Sequence, residues 1–329
     1  VSEIHTFIFD GMPVRGTLVR LTDAWQEILR RRASNSQGGA FPQPVRQLLG
    51  EMAAAGMLMQ SGIKFNGALV LQIFGDGPVK VAVAEVKSDL RVRATATIVG
   101  DVPADAGLSA MVNLHNQGRC AITLDPKDKF PGQQPYQSMV PLFGDRGEKL
   151  EKLSDALEHY MLQSEQLDTT LVLAADDNVA AGLLIQRMPV EGTHNLAGSL
   201  VSRENEALIG ADEDFNRLSH LASSLQRDEL LTLDVDTILR RLFWEEPLAR
   251  FVPQEDEPVP RFECSCSAER VRGMIRGLGR EEAESIVAER GEIEVGCEFC
   301  GRQYRFDALD AEQIFAAGEH PLPGTTAVQ

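Results

Sequence analysis

Four of the five cysteines in this chain crowd into its last quarter, as Cys264-Ser-Cys266 and Cys297-Glu-Phe-Cys300, with 30 residues between the pairs. No other feature limits the fold so tightly. In extended backbone, residues two apart point to the same side, so Cys264 and Cys266 can face one ion. Cys297-x-x-Cys300 followed by Gly301 suits a tight turn in which glycine takes a positive φ. Two close thiol pairs across such a gap fit a tetrahedral Cys₄ zinc site binding one Zn²⁺. No histidine lies between the pairs, so all four ligands would be thiolates and no coordination position would stay open for water. Hydrolytic zinc chemistry is therefore not expected.

The segment carrying these cysteines, about 262–320, has few large apolar side chains. A unit this small seldom holds together on its own core and needs a staple. Structural zinc can supply roughly 10–16 kcal/mol to the folding of a small domain. It keeps its ligands as thiolates, the form oxidants attack. Each pair is also close enough to form a local disulfide, although an extended Cys-x-Cys places its Cα atoms roughly 6.5–7 Å apart, near the upper limit. That bridge needs a bend and would be reducible. Oxidation of the ligands would remove the staple from a module that cannot do without it. Three readings remain open on spacing alone: a redox switch, a structural zinc ribbon serving a fixed partner, and a thiol oxidoreductase. The last is disfavoured because Cys297-x-x-Cys300 sits between two short strand-like runs, 292–295 and 304–306, rather than opening a helix in a βαβ unit.

Upstream the pattern is α+β, with mostly antiparallel pairing. Residues 5–21 read as β-structure about a Gly-Met-Pro turn, 22–32 as a short helix and 34–40 as a loop. A helix runs from Pro42 and Pro44 to about Gln60. Residues 63–74, 79–86 and 90–99 are strand-like and rich in β-branched residues, with Gly75-Asp76-Gly77-Pro78 as the hairpin turn. Short strands near 121–124 and 139–143, a helix at 147–163, and a hairpin of 169–175 with 179–188 follow. After about Arg203 the period becomes helical. Phe215, Leu218, Leu221, Ala222 and Leu225 form one apolar stripe, and Val235, Ile238, Leu239, Leu242 and Phe243 another. Each stripe needs an apolar surface to cover. Trp244–Pro260, with four prolines and an acidic cluster, reads as a linker.

The formal charge is −17, and the lysines all lie at or before Lys152. Residues 261–329 carry 8 arginines against 13 acids. A chain this acidic, with an acidic zinc module, points away from nucleic acid and from anionic membranes. No apolar run is long enough to span a bilayer, and residues 1–5 have no signal-peptide pattern, so a reducing cytoplasmic setting is expected. Cys120, in a strand-like run, reads as a small buried apolar residue. His194 reads as a loop residue and Ser164-Glu165-Gln166 as a helix end. No Gly-x-Ser-x-Gly elbow or phosphate-binding loop is present, and no enzymatic activity is expected.

The run FECSCSAERVRGMIRGLGREEAESIVAERGEIEVGCEFCGRQYRFD, with Cys-x-Cys-Ser-x-Glu-Arg, Gly-x-Ile-Glu and Cys-x-x-Cys before aromatic-x-Phe, resembles the C-terminal zinc domain of the redox-regulated 33 kDa chaperonins, a bacterial heat-shock holdase family. Gly75-Asp76-Gly77-Pro78, Asp125-Pro126-Lys127-Asp128 with Pro135-Tyr136-Gln137, and Ser164-Glu165-Gln166-Leu167 extend the resemblance over nearly the whole chain. Asp168 departs from it, since the family usually carries proline there, and a looser turn is expected. The resemblance implies an N-terminal core at 1–205 that binds clients, a helical, metastable linker at 206–261, a zinc-binding redox-switch domain at 262–320, and a tail at 321–329. It further implies that the reduced, zinc-bound protein is inactive. Oxidation would pair Cys264 with Cys266 and Cys297 with Cys300, release zinc and unfold the linker. The protein would then dimerise and hold unfolding client proteins without ATP.

Overall fold

A computed structural model describes residues 1–34, 38–130, 132–188, 213–251 and 257–316. His194, part of the 34–40 loop, the 205/206 boundary, the acidic run at 252–256 and the tail lie outside the described residues.

Two sheets, antiparallel except for one short edge strand, enclose one helix. Strands β1 (Glu3–Phe9) and β2 (Val14–Leu21) form the first hairpin, and helix α1 (Asp23–Ala33) follows. Helix α2 (Gln43–Ser61) is buried along almost its whole length, from Pro44 to Gln60. Such all-round burial requires an apolar surface on every side. It has one, because α2 lies between the two sheets and touches strands of both. Strands β3 (Gly67–Phe74), β4 (Val79–Lys87) and β5 (Arg91–Ile98) form a meander, with the 75–78 hairpin turn between the first two. After a short helix α3 (Leu108–Val112), strands β6 (Arg119–Pro126) and β7 (Tyr136–Pro141) pair beside β3. Helix α4 (Leu153–Glu165) leads into the hairpin β8 (Thr169–Ala175) and β9 (Ala180–Arg187), which joins β2.

Three boundaries differ from expectation. The strand expected from residue 63 starts at Gly67, because 63–66 serve as the turn out of α2. The helix expected from 147 starts at Leu153, because Gly144–Gly147 and a bridge between Phe143 and Lys149 close a turn first. The expected linker at 244–260 contains a strand, β10 (Leu248–Arg250), antiparallel to β1. At Asp168 the turn is tied rather than loose: its carboxylate lies 3.2 Å from Arg187 and its carbonyl accepts the Arg187 N–H.

The two stripes found after residue 203 lie on helices, apart from Leu225, which falls in the turn after the first. Helix α5 (213–223), helix α6 (Arg227–Thr232) and helix α7 (Val235–Phe243) cover the outer face of the β10-β1-β2-β9-β8 sheet. Phe215, Leu218, Ile238, Leu242 and Phe243 pack there against Phe7, Phe9, Leu18, Leu183 and Ile185. At roughly 1.5–3 kcal/mol for each fully buried large apolar side chain, this contact is what keeps the helices in place. Gly16 allows the face to close: a Cβ there would fall 2.1 Å from the Phe7 ring. Polar ties are few. Arg20 of β2 donates to the Leu230 and Leu231 carbonyls at 2.6 and 3.2 Å, and Arg227 donates to the Ala175 carbonyl at 2.7 Å.

Beyond this cover the chain crosses to the second sheet. Strand β11 (Arg261–Phe262) runs parallel to β5 at its edge, completing the order β11-β5-β4-β3-β6-β7. The C-terminal module then folds as helices α8 (Ala268–Leu278) and α9 (Arg280–Arg290), the hairpin β12 (Ile293–Gly296) and β13 (Gln303–Phe306), and helix α10 (Ala308–Ala316). Its core is thin. Val271, Ile275, Ala283, Ile293, Phe306, Ala311 and Ile314 are its buried apolar side chains.

Candidate metal centre

Cys264 and Cys266 flank Ser265 in the extended segment between β11 and α8. Cys297 and Cys300 occupy the turn joining β12 to β13. That turn is closed by two backbone bonds, Gly301 N–H to the Cys297 carbonyl at 2.8 Å and Cys297 N–H to the Arg302 carbonyl at 2.9 Å. Gly301 takes φ +70°, the conformation anticipated for it.

The fold brings all four cysteines together, their sulfurs within 4.8 Å of one another. Cys264 Sγ lies 3.6 Å from Cys297 Sγ, and Cys266 Sγ 3.4 Å from Cys300 Sγ. A tetrahedron with metal–sulfur bonds of about 2.3 Å has sulfur–sulfur edges of about 3.8 Å. The four donors therefore fit one tetrahedral, soft-ligand metal ion, and no disulfide links them.

Cys264 and Cys297 share one sulfur–sulfur hydrogen bond. This bond, with a backbone N–H from Cys266 and the guanidinium of Arg93, holds the Cys264 thiol below its ordinary range. The same bond pushes the Cys297 thiol up, and burial pushes Cys300 up. Tyr304 Oη donates to Cys266 Sγ at 3.1 Å.

Three residues that sequence reasoning left out position this centre. Arg93, on the outer face of β5, reaches Cys264 Sγ at 3.8 Å and stacks over the Phe299 ring at 4.1 Å from its centroid. Glu85 of β4, 2.5 Å from Arg93, pairs with the half-buried guanidinium and outweighs the cost of its burial. Thr95 Oγ1 donates to the Glu298 carbonyl at 2.9 Å. The Cys297–Cys300 turn is thus docked on the β5 face. Tyr304 had a signal in the aromatic-x-Phe pattern after Cys300, whereas Arg93 and Thr95 had none. Cys120 is not part of the centre. It is wholly buried in β6, and burial pushes its thiol up to about 12. Gln166, at the end of α4, caps that helix in the left-handed region, as a helix end requires.

Comparison with known proteins agrees with this arrangement. A family profile described as Hsp33 protein matches residues 2–307. The chain belongs to the Hsp33 family. It is 42% identical over 315 residues to the 33 kDa chaperonin of Chromobacterium violaceum, covering 95% of this chain and 94% of that protein. It is 40% identical over 325 residues to that of Methylobacillus flagellatus, covering 98% and 97%. The structure of the Thermotoga maritima 33 kDa chaperonin superposes with a TM-score of 0.70 at 20% identity, over 96% of this chain and 98% of that one, and shares its fold. The α+β architecture with a C-terminal Cys₄ cluster is therefore an Hsp33 architecture. Among the described residues no helix is long and apolar enough to cross a membrane.

Proposed function

We propose that this Hsp33-type chaperone is a redox-switched, ATP-independent holdase of the cytoplasm, inactive while Cys264, Cys266, Cys297 and Cys300 hold one zinc ion. When bound, zinc would keep the four sulfurs as thiolates and cross-link a module whose own core is small. Peroxide would oxidise the ligands two at a time. Each pair of thiolates gives two electrons to one peroxide, a disulfide forms, and with two protons the peroxide leaves as two waters. The bridges join Cys264 to Cys266 and Cys297 to Cys300. Each of these pairs stays together in an unfolded chain, whereas the 3.4 and 3.6 Å contacts between pairs exist only in the folded module.

The observation that carries this reading is the continuity of three elements. The Cys₄ centre leans on β5, β11 joins the same strand, and the helices just before β11 hide the apolar face formed by Phe7, Phe9 and Leu18. Loss of the centre frees β11. The helical cover at 213–243, within the linker expected at 206–261, is then held at its other contacts alone, and its undocking exposes apolar surface for unfolded clients and for dimerisation with a second copy.

The test is to treat the reduced, zinc-loaded protein with peroxide, following zinc release, the light scattering of a heated client, and the bridged peptides by mass spectrometry. Zinc release with suppressed aggregation and local pairing supports the reading. Zinc release with aggregation unchanged defeats it.

A further inference from the structure

Where the Cys₄ module meets the outer face of the β11-β5-β4-β3-β6-β7 sheet, a groove of about 1460 Å³, part of it open to solvent, collects Lys87, Arg91, Arg93, Lys127, Lys129 and Arg270 against Glu85, Asp89 and Asp125. The three carboxylates are already paired, with Arg93 at 2.5 Å, Arg91 at 2.7 Å and Lys129 at 2.6 Å. Glu263, at the rim, contacts Arg91 as well. Lys87, Lys127 and Arg270 have no ion-pair partner among the described residues, and Arg270 reaches only the Ser265 hydroxyl and carbonyl, at 2.8 and 2.9 Å. In a chain of formal charge −17, an uncompensated positive groove runs against the overall field and focuses anions locally. The position of Lys87 is already positive: burial, then Arg91, Arg93 and Arg270, lowers its ammonium below the ordinary lysine range, against the opposing pull of Glu85.

The three free cations come from different elements. Lys87 ends β4, Lys127 follows β6, and Arg270 is in the first turn of α8. Two belong to the sheet and one to the Cys₄ module. An anion that meets all three bridges the two parts. The hydroxyls of Ser88 and Ser265 and the amide of Asn66 add neutral donors along the wall. Among the described residues no aromatic side chain lines the groove. Proteins that bind single-stranded nucleic acid rely on such rings for base stacking, so the lining favours a small, multiply charged oxyanion over a nucleic-acid strand.

We propose that this groove binds a condensed inorganic phosphate, and that the bound anion clamps the Cys₄ module onto the sheet. Charge-assisted hydrogen bonds from ammonium and guanidinium groups to phosphate oxygens supply the affinity. Any regulatory weight of the clamp rests on the redox-switch reading, since it would delay undocking under oxidant. Binding itself does not depend on that reading.

The test titrates the reduced, metal-loaded full chain with tripolyphosphate by calorimetry, and follows amide exchange over 262–300 with and without it. One-to-one binding is expected, weakened by added salt and roughly tenfold or more by the triple variant Lys87→Gln/Lys127→Gln/Arg270→Gln. Exchange over 262–300 should slow in the parent and stay unchanged in the variant. Measuring the variant in the same buffer removes metal chelation by phosphate as a cause. Retained affinity in a variant of native circular dichroism overturns the proposal, as does binding that leaves exchange in the module unaltered. Displacement by an oligothymidylate of equal charge at equal concentration would assign the groove to nucleic acid and overturn it as well. The client assay of the preceding section can fail while these results hold, so the two failures are distinguishable.

Discussion

Arg93 of the sheet sits over Phe299 of the Cys₄ turn, its guanidinium carbon 4.1 Å from the ring centroid, and the same guanidinium reaches the Cys264 sulfur. One side chain therefore touches both cysteine pairs' segments and fixes the module's orientation on β5. A cation over an aromatic face is worth roughly 0.5–2 kcal/mol depending on exposure. Replacing Arg93 with Met should loosen docking without unfolding the sheet, since the Arg93 side chain points away from the α2 side. Zinc release under a fixed dose of peroxide should then run several-fold faster than in the parent. Arg93→Lys should not restore the parent rate, because an ammonium lacks the planar face. The double variant Glu85→Gln/Arg93→Met guards against an effect of the orphaned carboxylate. An unchanged release rate in both variants would mean that this contact does not hold the module.

The cover over the first sheet makes a separate prediction. Phe243 of α7 meets Phe9 edge-on, with ring centroids 5.0 Å apart, and Phe7 at 6.2 Å. Truncating a buried Phe to Ala costs about 3–5 kcal/mol, a large share of what can hold three short helices on a sheet. Phe243→Ala should therefore undock 213–250 in the reduced protein. The expected signs are binding of an apolar dye and suppression of client aggregation without oxidant, with far-ultraviolet circular dichroism of the sheets retained. Trp244, adjacent but 74% exposed, serves as the control, and Trp244→Ala should do neither.

These elements differed in how much of them the sequence carried. The stripes through Phe215 and Val235 were legible because a 3.6-residue period needs only one chain segment to declare itself. The cysteine set was legible because ligand spacing is local within each pair. Strands β10 and β11 were not. They are three and two residues long, too short for any periodicity, and they are strands because partners in β1 and β5 complete them. Helix α3, five residues long, was missed for the same reason. Arg93 escaped because its contact to Cys264 spans 171 residues of sequence, a relationship that only the sheet creates.

A pH dependence follows from Glu51 in α2. Burial pushes its carboxyl up to about 7, although Arg227 and Lys152 pull the other way. The unfolded chain holds this proton only up to about 4.5. Below that pH the residue is neutral in both states and costs nothing. As pH rises from about 4.5 to 7 the unfolded state releases the proton first, so stability falls, and above 7 the full cost is present. The cost is on the order of 3 kcal/mol. Glu158, also raised to about 7 by burial, adds a cost of the same sign. Glu51→Gln should raise the melting temperature at pH 8 and leave it almost unchanged at pH 4, flattening the profile between. A variant with the parent's slope would show that Glu51 titrates normally in the fold.

The last prediction concerns what the metal holds together. With seven buried apolar side chains in its core, the module lies below the size at which hydrophobic burial balances chain entropy. Metal binding is expected to contribute roughly 10–16 kcal/mol to its folding. Chelation under reducing conditions should therefore release amide protection in α8 and in the hairpin β12–β13, while β3 through β6 keep theirs. Their core around α2 is independent of the centre and contains Leu69, Leu71, Ile73 and Val86. Adding zinc back should restore protection in the parent. Cys297→Ser, which removes one donor from the turn that meets Thr95, should behave as the chelated parent does at any zinc concentration that the parent needs for saturation. Slow exchange at 293–296 and 303–306 in the chelated, reduced parent would show that the module stands on its apolar core alone, and the link from ligand oxidation to undocking would then have no physical basis.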